Sequence, residues 1–154
     1  MRGFRSLALI LCIFLGLGSA LAQPARVGTF DKASIVVAFY RSSLWAETLK
    51  TRQVELEAAQ KANDQARIKE LNAWGEQSQE LAHQQLAGQA PITNILEALK
   101  AAFEEIQRTA NVSAVVPSSD APEIPQSIDV TDKLLDWLKA DENTRRVIRE
   151  LQHK

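Results

Sequence analysis

The chain has 154 residues, one cysteine, two histidines and a formal charge of −1. That is one domain's worth of sequence, with too few Cys and His for a disulfide framework or a structural zinc site. Eighteen basic residues stand against nineteen acidic ones with no long block of either sign, which excludes the clustered basic face that a nucleic-acid backbone demands.

Met1-Arg2-Gly3-Phe4-Arg5 is a basic opening, Leu7 to Leu17 is an apolar run, and Ala20-Leu21-Ala22 is a small-x-small cleavage site. Together they predict a secretory signal peptide over residues 1–22. The run falls short of the ~20 residues that a membrane-spanning helix needs, so a retained anchor is the weaker alternative. Cys12 lies inside the run and leaves with the peptide on this reading. The mature chain, 154 less 22 or 132 residues, then has no thiol for a nucleophile or a metal site. It loses Arg2 and Arg5, which leaves 16 basic against 19 acidic residues and a charge of −3.

Arg26-Val27-Gly28-Thr29-Phe30 is rich in strand formers, and Asp31 offers an N-cap for a helix from Lys32. Ile35, Val36, Val37, Ala38 and Phe39 are apolar almost all round, which predicts burial on several sides. From Ser34 to Leu86 the apolar and small residues fit a helical hairpin with arms over about 39–87 and a tip at 62–64. One face carries Trp45, Leu49, Arg52, Leu56 and Ala59; the other carries Ile68, Leu71, Gly75, Ser78 and Ala82, both at three-four spacing. Paired outward from the turn, large residues face small ones and each pair of numbers sums to 127, as two antiparallel helices about 8 to 10 Å apart require. Asn63 suits a left-handed helix end and Asp64 the next N-cap. The alternative is one long amphipathic helix, which would be unusual beyond about 25 residues.

Gly88-Gln89-Ala90-Pro91 breaks the helix, and a new one follows with Ile92, Ile95, Leu99, Phe103, Ile106 and Ala110 on one face and Asn111 at its end. Val112 to Val116 reads as a second strand, apolar enough to be covered. Pro117 to Pro125 reads as a surface loop, and Ile128-Asp129-Val130 as a third, short strand. Thr131 or Asp132 caps a helix bearing Leu134, Leu135 and Leu138, and a final helix after Asp141 sets Val147, Ile148 and Leu151 on one side. The fold class is α+β, mostly helical, with a long antiparallel hairpin projecting from a small body of short strands. Val27, Phe30, Val115 and Val116 are the expected oligomerisation residues, because strands so short and few are too little for a stable sheet in one chain.

This order of elements, with Val27-Gly28-Thr29-Phe30-Asp31 and Ile128-Asp129-Val130-Thr131-Asp132 as its two loose motifs, resembles the Skp (OmpH-like) family of periplasmic chaperones. The resemblance covers the mature chain. It implies a homotrimer in the periplasm, near the membrane surface, whose coiled-coil-like arms enclose unfolded outer-membrane proteins. The arms here would be about 35 Å long at about 1.5 Å per residue, shorter than the family's, and the mature charge is slightly negative where familiar members are basic.

Chemistry is sparse. His83 and His153 give no metal-ligand spacing, adjacent Glu104 and Glu105 point apart on a helix, and no phosphate loop or nucleophile elbow occurs. Asn111-Val112-Ser113 matches a glycosylation sequon only weakly. No catalytic residue, metal or cofactor is expected. Val54 lies opposite the first arm's seam, and Trp74 and Leu81 lie to one side of the second's, so these three are candidate client contacts; a wider buried stripe or a neighbouring subunit is the blander alternative. The function expected is that of a holdase acting without ATP, the competing one an envelope adaptor whose hairpin binds one fixed partner, and a hydrolase comes third.

Overall fold

The computed structural model of the chain describes residues 26–120 and 126–153. The expected signal peptide over residues 1–22 and the second half of the proline loop, 121–125, lie outside the described residues. The fold is α+β and mostly helical. Three short strands, β1 (Val27–Phe30), β2 (Ala114–Pro117) and β3 (Ser127–Asp129), form one parallel sheet in the order β2-β1-β3. Val27 pairs with Ala114 on one side and Ser127 on the other, and Thr29 with Val116 and Asp129. Parallel neighbours need crossovers, and helices α1 (Lys32–Tyr40), α2 (Ser43–Lys61), α3 (Gln65–Leu86), α4 (Thr93–Ala98) and α5 (Lys100–Ala110) fill the one between β1 and β2. Helices α6 (Thr131–Trp137) and α7 (Glu142–Gln152) follow β3.

All three strands pair within one chain, although strands so short and few were expected to be too little for a stable sheet there. Helix packing supplies what strand length lacks. Helix α1 runs through the centre with Ile35, Val36, Val37, Ala38 and Phe39 all buried, and α3, α6 and α7 pack around it. Phe30, 1% exposed, completes this core from the sheet and stacks on Phe103 with ring centroids 6.0 Å apart. Gly28 is the point of closest approach: a Cβ there would lie 3.3 Å from methyl carbons of Val115 and Val130. The central strand therefore accepts no side chain at this position without displacing a neighbour.

Several boundaries differ from those read in the sequence. Strand β2 starts two residues late, because Val112 N–H bonds back to Gln107 O and Ser113 N–H to Arg26 O, and it runs through Pro117, which was expected in the loop. Proline is tolerated there because β2 is an edge strand. Ala114, Val115 and Val116 are half-buried rather than covered, again because among the described residues one side of β2 has no neighbour in the sheet. The helix expected from Ile92 to Ala110 is divided at Leu99 into α4 and α5. Leu99 N–H still reaches Ile95 O and Phe103 N–H reaches Leu99 O, both at 3.0 Å, so the buried stripe of Ile92, Ile95, Leu99, Ala102 and Ile106 survives the division.

Thr131 and Asp132 do not cap α6 as expected. Asp129 Oδ1 accepts from Thr131 N–H at 2.8 Å, and the Thr131 hydroxyl accepts from Asp31 N–H at 2.9 Å, which ties the end of β1 to the start of α6. Helix α7 docks: Ile148 is buried in the core and Gln152 Nε2 donates to Ser34 Oγ at 3.2 Å.

The corner between α3 and α4 turns on a buried amide. Gln85, 1% exposed, accepts from the Tyr40 hydroxyl at 2.8 Å and donates to Pro91 O at 2.7 Å and Asn94 Oδ1 at 2.6 Å. Each group would otherwise lose water without a replacement. Gln85→Leu should therefore destabilise the fold by about 1 to 3 kcal/mol through the stranded Tyr40 and Pro91 groups, read as a lower urea midpoint at unchanged slope.

Candidate functional site

Helices α2 and α3 are joined by a three-residue turn, and local chemistry specifies it. Asn63 is left-handed with φ of 53°, and Asp64 Oδ1 accepts from Arg67 N–H at 3.0 Å as the N-cap of α3. At the other end the chain breaks at Arg41, and Ser42 begins α2 as its N-cap, its hydroxyl also donating to Phe39 O at 2.6 Å. The arm starts at Ser43 rather than near Phe39; a serine before a helical run was the available signal.

Near the turn Ala59 of α2 and Leu71 of α3 are buried. Glu55 bridges them, accepting from Arg52 at 3.0 Å within α2 and from Arg67 at 2.6 Å on α3. The Arg52 guanidinium first, and then Arg67, hold the Glu55 carboxyl below the usual carboxylate range against a partial loss of water.

Farther from the turn the large-against-small pairing gives way. Gly75 has no atom within 4 Å of where its Cβ would stand, and Leu49, expected on the seam, is 46% exposed. Arg52 does not cover Gly75 but lies over the Trp74 indole, 5.1 Å from the ring centroid. Trp74, expected to one side of the seam, is half-buried and makes the contact itself, with its ring 5.9 Å from that of Trp45. The reason is area: an indole buries far more apolar surface against Trp45 than glycine could against an arginine stem.

The result is an open groove between α2 and α3. A cavity of about 430 Å³ on the turn side of Trp74 and one of about 320 Å³ on the body side share Leu49, Trp74 and Gly75, so they form one trough. Tyr40 closes its inner end, edge-on to Trp45 at 5.0 Å. Of the three client-contact candidates the structure places only Trp74 in this trough. Val54 is 59% exposed and Leu81 half-buried, and neither lines either cavity. The groove residues that the sequence reading passed over for binding are Leu49 and Gly75, which a two-helix seam had absorbed as packing partners.

A second cleft, of about 380 Å³, lies at the carboxyl ends of β1 and β3, where parallel sheets commonly hold ligands. Its polar groups are engaged with one another. Asp31 accepts from both the amide and hydroxyl of Ser34, and Arg145 bonds Asp132 at 3.2 Å, Asp136 at 2.6 Å and Ala140 O at 3.2 Å. Among the described residues no group of three or more His, Cys, Asp or Glu is placed to hold a metal ion, and His83, Glu104 and Glu105 are exposed. The strand residues named for oligomerisation divide in two. Val27 and Phe30 lie on the central strand, both edges of which are occupied, while Val115 and Val116 lie on edge strand β2. Among the described residues no helix is long and apolar enough to cross a membrane.

Two measurements follow from this geometry. Gly75→Ala should raise stability by about 0.5 to 1 kcal/mol, because helical glycine is costly and the added methyl has free space; a urea melt checks it. Glu55 has a lowered folded-state pKa, so its contribution is present above the ordinary carboxylate range and is lost as pH falls through the folded value. The stability gap between the wild type and Glu55→Gln should accordingly be open at neutral pH and narrow as the pH falls below the ordinary carboxylate range.

No family model, no curated protein and no solved structure matches the chain, which leaves the groove, the cleft and the sheet edge as the ground for a functional reading.

Proposed function

We propose that this chain is a holdase of the cell envelope, a short-armed relative of the Skp (OmpH-like) chaperones. In this reading α2 and α3 are a long antiparallel hairpin that projects as an arm, and it shields unfolded outer-membrane or secreted proteins without ATP, cofactor or catalysis. The observation that carries the reading is the open trough on Leu49, Trp74 and Gly75. An apolar groove left unfilled between two helices of the same chain is a surface for a partner, and a neutral, shallow one suits many weak contacts better than one tight one. Val54 adds an exposed apolar contact on the outer face of α2, and half-buried Leu81 stands seven residues beyond Trp74 on α3. A signal peptide over residues 1–22 would carry such a protein across the inner membrane to the periplasm.

Assembly, as a trimer of arms around one cavity, is supported by β2. A strand with one side unpaired among the described residues, and with Ala114, Val115 and Val116 half-buried, offers both hydrogen bonds and apolar area to another chain. The adaptor reading remains the competitor, since a helix laid into the same groove would be held by packing at the glycine.

The deciding experiment is suppression of aggregation of a urea-unfolded outer-membrane protein, run beside a mass measurement of the mature protein. Suppression across several unrelated clients supports the holdase, and binding restricted to one partner supports the adaptor. Val116→Lys puts a charge on the open strand and should shift the mass from oligomer to monomer with the helical circular dichroism unchanged. A wild-type protein that is monomeric at micromolar concentration would remove the trimer.

A further inference from the structure

Packing within the chain does not account for Gly75. It stands in the interior of α3, a 22-residue helix, where glycine weakens the helix relative to alanine, and a Cβ there would meet nothing within 4 Å. No neighbour requires the side chain to be missing. The gap is flanked by exposed Leu49 and by Trp74, whose indole is held by Trp45 and by the Arg52 guanidinium. A notch with a fixed aromatic wall and a cation beside it is thus open to solvent.

Charge narrows what can enter. Among the described residues, Arg52 and Glu76 are the charged ones lining the trough, beside neutral Gln53, Asn72, Ser78 and Gln79. Arg52 already pairs with Glu55 at 3.0 Å, so an incoming carboxylate would have to compete for it and would also meet Glu76, while an incoming lysine or arginine drawn to Glu76 would meet Arg52. An aromatic ring suffers neither penalty. It can stack on the guanidinium and meet the indole edge-on or offset, and with no Cβ at residue 75 it can lie close to the helix backbone.

We infer that the Gly75 notch receives one aromatic side chain of a neutral, extended client segment. This rests on the client-holding reading and gives it a chemical class: uncharged stretches with a Phe, Tyr or Trp, as against acidic, basic or purely aliphatic ones.

The test uses the full mature protein and its tryptophan emission, titrated with capped ten-residue Gly/Ser peptides carrying a central Phe, Leu or Ser, and with the Phe peptide flanked by two Asp or two Lys. The Phe peptide should bind about two- to tenfold tighter than the Leu peptide, the range an aromatic pair supplies, and both charged versions should be weaker than the neutral one. Gly75→Leu, which fills the notch, should erase the Phe preference with the melting temperature unchanged or raised; Gly75→Ala should reduce it in part. Equal binding of the Phe and Leu peptides, or a Phe preference that survives Gly75→Leu, overturns the inference. So does a change in the sedimentation of the protein alone on Gly75→Leu, since the notch would then hold a second copy. If the peptides behave as expected but the wild type fails to suppress client aggregation, the notch stands and the holdase falls. Suppression by the wild type with no peptide preference has the opposite meaning.

Discussion

The structure depends on a demand made by β1. Three of its four residues, Val27, Gly28 and Thr29, pair on both edges at once, with partners 87 and 100 positions away along the chain. Sheets this small are marginal, and closing loops of that length has an entropic cost that neither pairing repays alone. The compensation comes from α1. Because its residues are apolar around the whole circumference, it serves as the core for β1's side chain Phe30, for Leu134 and Leu135 of α6 and for Ile148 of α7 together. Two polar ties lock the arrangement at the carboxyl end of the sheet: the Thr131 hydroxyl on Asp31 N–H, and Gln152 on Ser34. The α2–α3 excursion is carried as an insertion in the first crossover.

Much of the local grammar was legible. Asp31, Asp64 and Asp141 cap their helices with side-chain oxygens that accept an amide proton three residues on, and the Thr144 amide holds the Asp141 carboxyl below its usual range. Asn63 and Asn111 take the left-handed conformation at helix ends. Such features depend on a few adjacent residues, and a sequence shows them directly. The stripe from Ile92 to Ile106 was legible for a related reason: its period belongs to the helix and persists through the division at Leu99.

What the sequence did not disclose depends on residues far apart. Short apolar strands look the same whether their partners lie in the same chain or another, so Val27 to Phe30 could be recognised as a strand but not as the centre of an intramolecular sheet. Thr131 reads as an N-cap until the Asp31 amide is known to stand 2.9 Å from its hydroxyl. The pairing of Arg52 with Gly75 followed from spacing alone, and spacing is blind to the difference between an arginine stem and an indole as packing surfaces.

The aromatic residues join these two scales. Phe39 belongs to the core; Tyr40 lies edge-on to it at 5.2 Å, Trp45 at 6.0 Å, and Trp74 follows at 5.9 Å from Trp45. The series runs without a gap from the body to the open trough, and Gln85 fixes its inner end through the Tyr40 hydroxyl. A groove wall held in this way needs little reordering when a ligand arrives, and ordering costs are a large part of what weak binding must overcome. The same anchoring explains why Trp74 can be half-buried and still a contact residue. One face of the indole is committed to the fold through Trp45, and that commitment holds its remaining surface beside the vacancy at Gly75.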